Sequence, residues 1–221
     1  MTLLSVDRIS MRYAYEESPQ VYPTIEAFAG AVVAVEQRMV RELGDAGCSY
    51  IHIDAPSYTA YVDEESPGRM RARGEDPQRI LGNSIAADNA VARVLPDTTF
   101  GIHLCRGNAA GMWLFTTLAH DRFLLEYDDE RSGGFEPLRF VPKGKVVVLG
   151  LISTKRARVE SVDELRRRID EAAKYIPLGQ LALSPQCGFS SGLAGNPLSE
   201  DEQWSKIDVM MQTAELVWGN E

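Results

Sequence analysis

Short apolar runs alternate along the chain with longer stretches in which apolar residues recur every three or four positions. Runs of four to eight aliphatic or β-branched residues predict strands, and the three-to-four spacing predicts amphipathic helices. The strand candidates are Leu3 to Ile9, Tyr50 to Asp54, Thr99 to Cys105, Phe123 to Tyr127, Lys145 to Ile152 and Leu181 to Ser184. Between the first two, Ile25, Phe28, Val32, Val35, Met39 and Leu43 define a helix from about Thr24 to Ala46, with Gly47 as its stop. A second helix is expected from about Ile85 to Leu95, ending before Pro96. Ser161 with Glu164, and Ser199 with Glu202, have the spacing of capping boxes and open two further helices, the last running to Trp218. The polar, turn-rich stretch from Asp63 to Pro77 reads as a long βα loop.

Strands that alternate with helices point to α/β architecture and a parallel sheet. Six such units suggest a (β/α)8 TIM-barrel type that is incomplete in this chain, since a full barrel takes about 250 residues. Residues 1–221 are read as a single domain of this kind. A sheet with two open edges would associate, either with a second copy or with a partner subunit that completes the barrel.

Charge narrows the partners. The chain has 23 Lys and Arg against 32 Asp and Glu, a net charge of -9, which argues against nucleic acid. The densest basic run, Arg166-Arg167-Arg168, lies among acidic residues and is read as a solvated helix face. The opening MTLLSVDRIS lacks a basic flank followed by an apolar run, and no stretch approaches membrane-span length, so a cytoplasmic protein is expected. Three cysteines then point toward metal or thiol chemistry.

The chemistry-bearing residues fall at strand ends. In Gly101-Ile-His103-Leu-Cys105 the imidazole and the thiol are two apart and share one strand face, and such a pair suits zinc. Cys187 stands just past the last predicted strand, and Glu126 ends an otherwise apolar one, where a carboxylate is costly unless paired or bound to a cation. A lone H-x-C on a strand is more often packing than ligation, but four zinc-competent groups at strand ends make a coherent set. His52 shares a face with Asp54, where contact with substrate and simple burial weigh equally. Arg106 and Asn108 could hold an anionic head, while Cys48 reads as a small buried hydrophobe. Trp113 and Phe115 read as core more than as a pocket wall, and Glu130 as a solvated loop residue.

The segments IHLCRGN, FLLEYDDERSGGFEPLRFVPKGKVVVLGL and LALSPQCGFSSGLAGN resemble the catalytic domain of the cobalamin-independent methionine synthase family, and especially its short bacterial members, which include epoxyalkane:coenzyme M transferase. The resemblance covers roughly Ile51 to Trp218 and implies a zinc ion held by His103, Cys105, Glu126 and Cys187. It also implies substrate contacts at Asp54, from a D-E-P motif that reads Asp54-Ala55-Pro56 here. Ala55 replaces the Glu of that motif, and two further departures are expected: Lys155 at the family's histidine proton donor, and a match that starts at the third βα unit, without the two earlier units that supply a Ser and a Glu for the amino acid substrate.

What the resemblance implies is a zinc-dependent methyltransferase of methionine biosynthesis, in which a small thiol attacks an alkyl donor. Methyl transfer to homocysteine is the family default. Addition of a thiol such as coenzyme M to an epoxide is the alternative, and a non-catalytic or split-enzyme fragment that binds zinc is a third reading.

Overall fold

The computed structural model describes residues 1–61, 65–72, 74–105 and 111–219. In chain order the elements are β1 (Thr2–Leu4), α1 (Val6–Ser10), α2 (Ile25–Asp45), β2 (Tyr50–Asp54), α3 (Ser66–Ala72), α4 (Pro77–Ala92), β3 (Thr99–Leu104), α5 (Gly111–Thr117), β4 (Arg122–Glu126), β5 (Val146–Ile152), α6 (Val162–Ala172), β6 (Leu181–Pro185) and α7 (Glu200–Trp218). The six strands form one sheet whose order follows the chain. Every pairing with an assigned register is parallel, as βα connections require.

The chain divides into two compact units, the first made of Met1–Cys105 and Trp113–Arg122, the second running on from Phe123. In the first, Tyr50 pairs with Thr99 and Asp54 with His103, so β2 and β3 are in step along their length. Ile51, Ile53, Phe100, Ile102 and Leu104 are all buried, and each alternates with residues on the opposite face. The same unit holds a buried polar cluster. Asp88 on α4 accepts hydrogen bonds from the Val6 backbone N–H and the Tyr58 hydroxyl, both 2.8 Å, while Asp7 accepts from the hydroxyls of Tyr61 and Ser84. Burial raises the Asp88 carboxyl to about 7, and burial together with the charge of Asp88 raises Glu36 of α2 to about 8.

In the second unit, Val147, Leu149, Leu151 and Ile152 of β5 are buried, as are Leu165 and Ile169 of α6. Lys206 of α7 is fully buried and donates to Glu160 at 2.9 Å and to the Arg158 carbonyl. Glu160 also accepts the Ser153 backbone N–H at 3.0 Å, so the segment after β5 is tied to the last helix.

Several expectations need correction. The run from Leu3 to Ile9 is a strand only as far as Leu4. Ser5 turns the chain by accepting the Arg8 N–H as an N-cap, and Val6–Ser10 is helix. The second long helix starts at Pro77, eight residues before the expected Ile85, because Asp76 caps it and proline is preorganised for a first turn. The supposed loop from Asp63 to Pro77 contains α3. At Ser199 the capping box is complete, whereas at Ser161 the hydroxyl accepts the Glu164 N–H and the Glu164 carboxylate pairs with Arg158. In the basic run, Arg166 and Arg167 are exposed, but Arg168 lies over the Phe135 ring at 4.8 Å and is half-buried. Cys48 is half-buried too, its thiol donating to the Tyr50 carbonyl at 3.2 Å.

Candidate metal centre

His103 and Cys105 sit where the two-residue period puts them. Their side chains leave the same face at the end of β3, and Cys105 Sγ lies 2.9 Å from His103 Nε2. The His103 ring is 5% exposed, and the Ala55 backbone N–H donates to its carbonyl at 3.0 Å. That bond extends the β2–β3 ladder one residue past Asp54 and fixes the backbone carrying the imidazole.

His52 and Asp54 share one face of β2, with His52 opposite Gly101 and Asp54 opposite His103. The His52 and His103 rings meet edge to face with centroids 6.1 Å apart. His52 is therefore a direct neighbour of a candidate ligand, and both it and Asp54 are half-buried. Asn108, the third expected substrate contact, and its neighbour Arg106 lie outside the described residues.

Cys187 follows β6, whose last residue is Pro185, and is half-buried. Ligand atoms of His103, Cys105 and Cys187 all lie within 4.8 Å of one another. One imidazole and two thiols at that spacing have the composition and the soft character of a zinc donor set. Glu126 ends β4 at 7% exposure, as expected, but is not a member of that three-residue group. Of the other residues considered, Phe115 is fully buried, Trp113 is 38% exposed and Glu130 is exposed. His120 is fully buried ahead of β4.

A family model described as the cobalamin-independent synthase, catalytic domain, matches residues 22–215. The chain belongs to this family. The Bacillus subtilis proteins YxjH and YxjG, both described as uncharacterized, are each 36% identical to it, over 90% and 87% of this chain and 56% and 55% of their own lengths. A methionine synthase of Pyrococcus abyssi is 24% identical over 77% of this chain and 45% of its own. The chain thus spans about half the length of the curated relatives it matches. Among solved structures, a putative vitamin-B12 independent methionine synthase from Listeria monocytogenes superposes with a TM-score of 0.74 at 27% identity, covering 99% of this chain and 63% of that one. A B12-independent methionine synthase from a Shewanella species, in complex with selenomethionine, shares the fold with a TM-score of 0.67 at 19% identity, over 90% of this chain and 57% of that one. The family's barrel-type fold is thereby shown for this chain, as an α/β succession of six strands among the described residues.

Sequence patterns do not single out Thr154 and Gln186, which are 0% and 3% exposed and bonded to each other. The only signal available was that two polar residues fall at the ends of apolar strands. No helix among the described residues is long and apolar enough to cross a membrane.

Proposed function

We propose that this protein is a cytoplasmic zinc enzyme that alkylates a small thiol, with methyl transfer to homocysteine, giving methionine, as its leading reaction. The observation that carries the reading is the grouping of His103, Cys105 and Cys187. Family membership supports it. His103, Cys105 and Cys187 would hold the metal, with Glu126, buried at its strand end, as the fourth ligand by resemblance. Two thiolates and a carboxylate make a strongly anionic donor set, which disfavours activation of water. Bound there, zinc would keep a substrate sulfur in its anionic form near neutral pH.

The remaining work falls to the chain's own residues. Asp54 and His52, on one face of β2 beside His103, are positioned to hold the polar head of a thiol substrate. Holding the electrophile in line with the sulfur would supply much of the acceleration. Thiol addition to an epoxide is the second reading. It is favoured by Ala55 and Lys155, which stand where the methionine synthase pattern has Glu and His.

The test is thioether formation by the zinc-loaded full chain, followed by mass spectrometry, with two substrate pairs. One is homocysteine with a methylated folate; the other is coenzyme M with epoxypropane. The proposal predicts a thioether from one pair, abolished by Cys187→Ser. A chain that holds zinc yet alkylates no thiol would overturn it in favour of a zinc-binding fragment.

A further inference from the structure

A residue just past the end of a strand has lost its ladder partner, so something else must fix its backbone. Cys187 is in that position. Gln186 makes the last ladder-like bond, its N–H donating to the Ile152 carbonyl at 2.8 Å. Its side chain then turns back onto Thr154. Gln186 Oε1 accepts from the Thr154 backbone N–H at 3.2 Å and from the Thr154 hydroxyl at 2.6 Å. On the other side of Cys187, the Gly188 carbonyl accepts from Asn196 Nδ2 at 3.0 Å, and the same amide donates to Thr154 Oγ1 at 3.2 Å. The Ser191 hydroxyl donates to Asn196 Oδ1 at 3.1 Å and so orients that amide. Both neighbours of Cys187 are thus tied to one threonine.

Glycine at position 150 makes the arrangement possible. A Cβ there would stand 2.7 Å from Gln186 Cα and 2.8 Å from the Leu125 carbonyl oxygen, both immovable backbone. The β5–β6 register also shifts between Gly150 and Ile152, which moves the exit of β6 relative to its neighbour. A buried amide oxygen and a buried hydroxyl carry a desolvation cost that an aliphatic pair of the same volume would avoid. Their links to both chain neighbours of a candidate ligand give that cost a purpose.

We propose that Thr154, Gln186 and Asn196 form a polar clamp that positions the Cys187 sulfur for metal binding. The inference rests on the zinc reading above. Gln186 and Thr154 are positioning residues, since they act through the backbone that carries Cys187.

Cobalt(II) titrated into the metal-free full chain tests this, because thiolate-to-cobalt absorption reports how many sulfurs ligate. Wild type should show the band of two thiolates. Gln186→Leu should weaken cobalt binding about tenfold or more, the usual range for groups that orient a ligand, and reduce the band toward that of one thiolate. Thr154→Val should act in the same direction, and Thr154→Ser, which keeps the hydroxyl, should restore both readings. If Gln186→Leu fails to fold, the Thr154 pair decides. Wild-type affinity and absorption in Gln186→Leu and Thr154→Val would overturn the clamp alone. Failure of wild type to bind cobalt at all would overturn the zinc reading and the clamp with it.

Discussion

Asp88 in the first unit and Glu160 in the second are both buried carboxylates, but they are satisfied by different chemistry. Asp88 is held by neutral donors, a tyrosine hydroxyl and a backbone N–H, and Glu36 lies near enough to raise its own pKa through the Asp88 charge. Glu160 is held by the ammonium of Lys206 as well as by a backbone N–H. Neutral donors ease burial without repaying the cost of a charge, so Asp88 rises to about 7, while burial and the Asp88 charge together raise Glu36 to about 8. An ammonium partner makes the second arrangement a fixed lock between α7 and the segment after β5. The first unit should therefore respond to pH, and the second to loss of one partner.

The largest effect is expected from Lys206→Met. It leaves Glu160 buried without its cation, and breaking such a pair costs about 3–5 kcal/mol, read as a lower denaturant midpoint. A drop below 1 kcal/mol would mean that Glu160 reaches water, and the contrast with Asp88 would disappear. Next comes the pH dependence of stability. Both first-unit carboxyls have native values above their ordinary 3.8 and 4.5, so the folded state binds more protons than the unfolded state between those limits. The stability these two groups contribute is fully present below about pH 4 and is lost as pH rises from about 4 to about 8. Glu36→Gln should flatten that decline by an amount on the order of a few kcal/mol at most, measured by urea unfolding at pH 6 and pH 9. An unchanged slope would show that Glu36 ionises freely.

Tyr58→Phe removes one of the Asp88 donors and should cost about 1–3 kcal/mol. The loss should be larger at pH 9 than at pH 6, because it is the ionised carboxylate that needs the hydroxyl. The smallest effects concern the helix starts. Ser199→Ala breaks a complete capping box and should cost about 1 kcal/mol, more than Ser161→Ala, where the Glu164 carboxylate is engaged with Arg158. Thermal midpoints of the two variants make the comparison.

The strands were legible because buried parallel strands are apolar nearly end to end, as in Val146–Ile152. The same pattern misleads at the first element. Leu3, Val6 and Ile9 look like part of an apolar strand, and only the Ser5 hydroxyl accepting from Arg8 shows that a helix begins there. Pro77 read as the end of a loop because proline punctuates, although behind a capping aspartate it starts a helix. His103 and Cys105 could be placed on one face from spacing alone, since the strand period is local. The Thr154–Gln186 bond could not be foreseen, as it joins residues 32 apart and depends on a register shift that no local pattern encodes.

The central claim is that His103, Cys105 and Cys187 act together on one metal ion. Metal content by mass spectrometry, on protein purified without chelator, tests it most directly alongside His103→Ala and Cys187→Ser. The account predicts about one zinc per chain in wild type and loss of zinc in both variants, as expected when a four-ligand site loses a ligand. Well-folded wild-type protein without zinc, or variants that keep it, would contradict the account.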